Sequence, residues 1–171
     1  MDTKELSFLF IFISFVPLIY RIFEESHTLH MDNSFSYYIG DREPRYAYFT
    51  VYFAFASVCM FLFEYLTYKQ IDFRIFLLMF SSFSLLWIPE QEHFFTHVFF
   101  AVIAFATVML YMVQTSMKHK HYVYSALSWI NIIMLIYIAC FFRIANVVNA
   151  ELVFIALFLV FYWFHHKNTF Q

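Results

Sequence analysis

The chain has 171 residues, of which 63 % are hydrophobic and only 13 % are charged, and 27 of them are Phe. A soluble chain normally carries about a quarter charged residues, so this composition excludes an ordinary soluble enzyme and indicates an integral membrane protein. The formal net charge of -2 provides no basic field for nucleic acid, and we expect no nucleic-acid partner.

Six apolar segments follow one another along the chain and predict an all-α, polytopic bundle of six transmembrane helices. A span needs roughly 20 mainly apolar residues, because every backbone amide must bond inside the helix where water is absent. The segments are 6–23, 46–66, 73–88, 94–115, 122–142 and 150–165. Since little sequence lies outside them, we expect residues 1–171 to form a single transmembrane domain.

The loops predict how this bundle is oriented. With six spans, the two termini and the loops at 67–72 and 116–121 share one side, which carries Lys4, Lys69, Lys118, Lys120 and Lys167. The positive-inside rule makes that side, and therefore both termini, cytosolic. The opposite side gathers acidic residues, namely Glu24, Glu25, Asp32, Asp41, Glu43, Glu90, Glu92 and Glu151. We expect the polar loop at about 24–45 to form a lumenal cap between the first two helices.

A polar segment containing Glu92 and His93 precedes the fourth helix, and His97 follows one helical turn later. Two histidines at this spacing can share a face, and beside carboxylates they can hold zinc that activates water. In this zinc hypothesis the catalytic candidates are His97 and Glu92, and the metal candidates are His93 and His97. The alternative is that His97 hydrogen-bonds a neighbouring helix. The other histidines lie in the cap or on the opposite side, so we expect no bound cofactor.

Two charged residues flank the last lumenal loop. Arg143 ends the fifth segment and Glu151 opens the sixth. One interpretation is an interfacial anchor or an ion pair between the two, which costs little at the membrane edge. The other is that Arg143 offers a forked, permanently charged donor to a phosphate or carboxylate of a lipid headgroup.

Several sparse polar residues form a known pattern along almost the whole chain. The turn before the second helix contributes Ser34, Ser36, Ile39, Gly40, Asp41, Pro44 and Arg45. The later helices and loops contribute Glu92, His97, Leu110, Tyr111, Gln114, Thr115, Arg143, Asn146 and Glu151. In this order they resemble the post-GPI-attachment lipid-remodelling factors, which belong to a family of six-helix membrane proteins with the Frag, DRAM (damage-regulated autophagy modulator) and Sfk-type proteins. The shorter cap and loops are those of a short, divergent member.

The resemblance implies a protein of the endoplasmic reticulum or Golgi that acts in GPI-anchor lipid remodelling or related lipid handling. Its expected ligands are membrane lipids, either phospholipid or GPI-type. Together with the charges above, it predicts a lumenal polar ring that contacts a lipid headgroup or a partner, composed of Asp41, Arg45, Glu92, His97, Arg143 and Glu151. Two alternatives stay open. One is a non-catalytic accessory subunit of a larger lipid-transfer or lipid-biosynthesis membrane complex, and the other is an intramembrane metal-dependent lipid hydrolase or acyltransferase.

Overall fold

The computed structural model describes residues 3–24, 47–141 and 147–167, and these residues are helical apart from short turns. The predicted cap loop lies almost entirely outside them. The described residues fall into two compact units, unit 1 with residues 3–24 and 47–104 and unit 2 with residues 105–141 and 147–167. The expectation of a single membrane domain stays a prediction.

The first predicted span is two helices, α1 over Thr3–Ile13 and α2 over Phe15–Glu24, separated at Ser14. Pro17 explains the break, because it has no N–H to donate to the carbonyl four residues earlier and its ring crowds that carbonyl. The hydroxyl of Ser14 adds to the interruption by donating to the carbonyl of Ile11 at 2.9 Å, a local bond of the kind that bends helices. The single continuous helix expected here is therefore wrong.

Unit 1 is built around the packing of α1 against α3, which covers Ala47–Tyr68, and α3 in turn packs against α4, Phe73–Trp87. At the first of these contacts the rings of Phe8 and Phe63 have centroids 4.8 Å apart, and both side chains are buried. Aromatic pairs of this kind contribute about 0.5–1.5 kcal/mol beyond the burial of their area.

Two charged residues, Lys69 and Asp72, stand at the two ends of the turn between α3 and α4. Lys69 ends α3 with a left-handed φ of 56°, and its N–H donates to the carbonyl of Tyr65 at 2.9 Å. Glycine usually takes this position, but the only glycine of the sequence is Gly40. Asp72 then caps α4, because its carboxylate accepts from the N–H of Arg74 at 2.8 Å and forms an ion pair with the Arg74 side chain.

Three long helices complete the described chain: α5 over Glu90–His119, α6 over Tyr122–Phe141 and α7 over Val147–His166. In unit 2, α6 packs along α7. The part of α5 that belongs to unit 2 contacts α7 through Phe105 and Phe154, whose ring centroids lie 4.9 Å apart. Aromatic side chains therefore join all three helices of this unit.

Four helices of the described chain are long and apolar enough to cross a membrane, consistent with an integral membrane protein. They are α3, α5, α6 and α7, with candidate spans over Thr50–Tyr68, Glu92–His119, Tyr122–Cys140 and Asn149–His166. In contrast, α4 has 15 residues, which at about 1.5 Å per residue fall short of a hydrocarbon core roughly 30 Å thick. The six-span topology and its orientation stay predictions.

Replacement of Lys69 tests the left-handed turn after α3. Lys69→Gly should raise the stability, because a residue with a Cβ in this region costs about 1 kcal/mol. Lys69→Ala removes the same charge but keeps the Cβ, so it should not gain this stability. Thermal unfolding in detergent, followed by tryptophan fluorescence, compares the two variants. Equal melting temperatures would contradict the strain that we assign to this turn.

Acid should weaken the cap of α4. Hydrogen bonds from Arg74, together with its charge, hold the pKa of Asp72 below the usual 3.8. The stabilisation is therefore fully present above that value and is lost as the pH falls through the lowered pKa. Asp72→Asn still caps the helix but has no charge to lose. Its melting temperature should fall less than that of the unmodified chain between neutral pH and about pH 3, and parallel pH profiles would contradict this assignment.

Candidate functional site

Three of the six residues predicted for the lumenal ring lie within the described chain. Glu92 and His97 belong to unit 1, and Glu151 belongs to unit 2. The other three lie outside the described residues, namely Asp41, Arg45 and Arg143. The assembly of a ring therefore stays a prediction.

His97 is the most informative of these residues, because its side chain is only 1 % exposed. Its Nδ1 atom lies 2.6 Å from the carbonyl oxygen of Ile88, the residue that ends α4. A carbonyl can only accept a hydrogen bond, so Nδ1 carries the hydrogen and donates it. This bond links α5 to the end of α4.

The Ile88-Pro89 pair explains why this carbonyl is available. A residue before proline is disfavoured in the helical conformation, and Ile88 has φ -116° and ψ 87°. The N–H of Ile88 still donates to the carbonyl of Ser84 at 3.0 Å, but the helix stops there. The last carbonyls of a helix have no intrahelical donor, and His97 supplies one to Ile88.

The second ring nitrogen of His97, Nε2, is buried and has no hydrogen-bond partner among the described residues. Since Nδ1 carries the hydrogen, Nε2 of the neutral ring has a lone pair and acts as an acceptor. A buried polar atom without a partner costs about 1–3 kcal/mol. Such atoms are rare in native proteins and call for an explanation, such as a water molecule, an ion, a ligand or a catalytic role. The chemistry of Nε2 suits a group that donates, such as a hydroxyl or an ammonium N–H, or a metal ion.

Glu92 and His93, the other residues of the zinc hypothesis, have surroundings different from those of His97. His93 has φ -138° and ψ 54°, which interrupts α5. Its side chain and that of Glu92 are exposed, whereas His97 is buried. The two histidines therefore differ in exposure, and their placement on a common helix face stays a prediction. Within the described ranges, no three His, Cys, Asp or Glu side chains are grouped so that they could hold a metal ion.

Glu151 and Asn131, two polar side chains of unit 2, are also buried. Glu151, in the second turn of α7, is 2 % exposed. Asn131 on α6 is fully buried, and its Nδ2 donates to the sulfur of Met112 on α5 at 3.1 Å. The Oδ1 atom of Asn131 has no partner in the part of the chain that the structure describes. Asn131 thus joins α6 to α5 through its amide nitrogen, while its amide oxygen can still accept a hydrogen bond.

Sequence reasoning identified His97 but missed its partner, the carbonyl of Ile88. Pro89 was the signal that could have found it, because a proline after an apolar helix predicts an unsatisfied carbonyl nearby. The same reasoning used Lys118, Lys120 and Lys167 only to orient the chain. In unit 2, two histidines close to these lysines in the sequence come together, with the ring centroids of His119 and His165 5.2 Å apart.

No family model, curated protein or solved structure matches the chain. The resemblance to the GPI-anchor lipid-remodelling family therefore stays an expectation drawn from sparse polar residues. The functional evidence comes from the geometry of the chain itself, and above all from His97.

Two substitutions at His97 separate the roles of its nitrogens. Asparagine places an N–H donor close to the position of Nδ1, so His97→Asn should keep the bond to the Ile88 carbonyl and most of the stability. His97→Ala leaves that carbonyl without its donor and should cost about 1–3 kcal/mol more than His97→Asn. Thermal unfolding in detergent measures the difference. If the two variants have the same melting temperature, the bond to Ile88 does not stabilise the fold.

Proposed function

We propose that the chain is a lipid-handling membrane protein in which His97 binds the headgroup of a membrane lipid. The observation that carries the proposal is the buried Nε2 atom, which has no hydrogen-bond partner among the described residues. The bond from Nδ1 to Ile88 fixes the ring, so the acceptor is held in one orientation. Because Nε2 is buried, a headgroup reaches it only when neighbouring side chains move aside, but the His97 ring itself then loses little further freedom.

The acceptor character of Nε2 selects among headgroups. Inositol and sugar hydroxyls donate, as do the ammonium groups of ethanolamine and serine, whereas choline has neither an O–H nor an N–H. A phosphate diester offers only acceptor oxygens, so it does not satisfy Nε2 either. The proposal therefore favours GPI-type, inositol or ethanolamine lipids over phosphatidylcholine at this site.

In this proposal the chain crosses the membrane six times, with the bilayer thinned around the short α4, both termini in the cytosol and His97 on the lumenal side. The distribution of lysines supports that orientation. The other ring members would contact the remainder of the headgroup, with Arg45 and Arg143 suited to its phosphate. The resemblance to the GPI-anchor remodelling family supports a location in the endoplasmic reticulum or Golgi and a role in remodelling or handling GPI-anchor lipids.

A second candidate function is that of an accessory subunit in a larger lipid-transfer or lipid-biosynthesis complex. It is favoured by two large aromatic side chains close to His97 in sequence, Trp87 at 81 % and Phe95 at 87 % exposed. Exposed aromatic residues anchor many protein interfaces, although in a bilayer they also contact lipid. A lipid hydrolase or acyltransferase is the third alternative, with Nε2 as a metal ligand or a base.

Lipid retention tests the headgroup proposal. The chain is purified in mild detergent from its native membrane, and the retained lipids are counted by mass spectrometry for wild type and His97→Asn. The variant keeps the bond to Ile88 but has no acceptor at the Nε2 position. We expect it to lose lipids with hydroxyl or ammonium headgroups by roughly 5- to 150-fold, the equivalent of about 1–3 kcal/mol.

The level of retained phosphatidylcholine serves as the internal control, because it should not change between the two proteins. An unchanged headgroup profile in a folded His97→Asn variant would overturn the proposal. The same preparation tests the other candidates. A large partner in stoichiometric amount would favour the accessory subunit, and stoichiometric zinc that depends on His97 would favour the hydrolase or acyltransferase.

A further inference from the structure

A second site is suggested by the end of unit 2 where α5 stops, α6 begins and α7 stops. Two segments far apart in sequence meet there, residues 118–121 and residues 165–167. The rings of His119 and His165 have centroids 5.2 Å apart. We call the positively charged and imidazole side chains at this end the basic cluster, comprising Lys118, His119, Lys120, His121, His165 and Lys167.

Tyr124, in the first turn of α6, holds the two segments together. Its hydroxyl donates to the carbonyl of Phe164 at 3.1 Å, one of the last carbonyls of α7 that lack an intrahelical donor. Its ring lies 5.8 Å from that of His119 and 6.1 Å from that of His165. Tyr124 therefore fixes the juxtaposition of the His119 and His165 rings, and the three lysines stand close to these histidines in the sequence.

Charge in this region is of one sign. From residue 93 to residue 150 the sequence has no Asp or Glu, and none follows Glu151. Glu151 stands 14 residues before His165 on α7, which is about 21 Å along the helix axis. Among the described residues, none of the three lysines of the cluster forms an ion pair. Unit 2 thus gathers cations at one end and has no described carboxylate nearby.

The cluster is accessible and lies at the level of the membrane surface. All its side chains are exposed except that of His165, which is half-buried. The residues sit at the ends of three candidate spans. Tyr122, 79 % exposed, stacks on His121 with ring centroids 4.9 Å apart. Exposed tyrosines of this kind mark the headgroup region of a bilayer.

We infer that the basic cluster binds a phosphomonoester on the headgroup of an anionic membrane lipid. A phosphomonoester has three terminal oxygens and a charge close to -2, so it can accept hydrogen bonds from ammonium and imidazole groups of both segments at once. A phosphodiester offers only two terminal oxygens and one charge. Clusters of lysines beside membrane spans attract anionic lipids, and each lysine raises the affinity about fivefold.

Two simpler roles for the same residues have to be separated from this one. Lysines at span ends orient a membrane protein in general, and cations at helix C-termini offset the macrodipole. Neither role distinguishes a phosphomonoester from another anionic lipid of equal charge, and neither makes stability depend on which lipid is present. The inference is independent of the headgroup that His97 binds.

The test uses the full chain in nanodiscs of phosphatidylcholine that contain either phosphatidic acid or phosphatidylserine at equal total charge. Native mass spectrometry counts the retained lipids, and thermal unfolding reports the stabilisation by each lipid. The cluster variant Lys118→Gln/Lys167→Gln is compared with Lys4→Gln/Lys69→Gln, which removes the same charge from the same predicted side of the membrane. Melting in pure phosphatidylcholine checks that both variants fold.

Wild type and the Lys4→Gln/Lys69→Gln control should prefer phosphatidic acid over phosphatidylserine and should be stabilised by it. The cluster variant should lose affinity for phosphatidic acid by roughly 30-fold, and Lys120→Gln alone by roughly fivefold. If the control lost the same affinity for phosphatidic acid, the effect of the cluster would be that of any surface charge, and the inference would be overturned. Displacement of phosphatidic acid by millimolar inorganic phosphate would overturn the assignment to a lipid.

Discussion

Inside a bilayer a backbone amide has no water to bond to, and the architecture of this chain follows from that constraint. The described residues satisfy it by forming helices joined by very short turns. Two of the turns begin with a lysine in the left-handed conformation, Lys69 after α3 and Lys120 after α5. Each lysine ends a helix where glycine is usual and places a positive charge beside the negative end of the helix dipole. The same lysine thereby ends the helix and places a charge at the end of a candidate membrane span.

A proline that breaks a helix leaves a carbonyl without its intrahelical donor, and a side chain can supply the missing bond. At the Ile88-Pro89 turn that side chain is His97, whose Nδ1 donates to the carbonyl at the end of α4. Imidazole has two nitrogens, and a structural bond to one of them fixes the chemistry of the other. In the neutral ring Nε2 is therefore an acceptor, since Nδ1 donates to the carbonyl that the turn at Pro89 leaves without an intrahelical donor. The need to satisfy every backbone polar group without water, which favours the helices, therefore also accounts for the candidate site at His97.

The apolar segments predicted most of the helices well. The segment at 122–142 became a helix over Tyr122–Phe141, and that at 46–66 became one over Ala47–Tyr68, because in both an unbroken apolar run coincides with a lack of proline. The prediction failed where one local bond decides the outcome. Pro17 splits the first segment, and the backbone of His93 interrupts α5. Neither event changes the hydrophobicity of the segment, so hydrophobicity did not reveal it.

The functional residues were less predictable than the helices, since their meaning depends on contacts between distant parts of the chain. A histidine at position 97 could be identified from the sequence as a polar residue in an apolar helix. The lone pair on its Nε2 could not be identified in this way, because the tautomer of the ring is set by the bond from Nδ1 to a carbonyl nine residues earlier. Likewise, His119 and His165 are 46 positions apart in the sequence, and only the packing of α5 and α6 against α7 brings their rings together.

The two proposed sites require opposite chemistry, which makes them separable. Nε2 of His97 accepts a hydrogen bond and so needs a donor. Lysine ammonium groups in the basic cluster donate and carry charge, so they need an anionic acceptor. A neutral sugar or inositol hydroxyl satisfies the first site but adds no charge to the second, and a fully ionised phosphate satisfies the second but has no hydrogen to donate to the first. Substitution at one site should therefore leave the headgroup selectivity of the other unchanged.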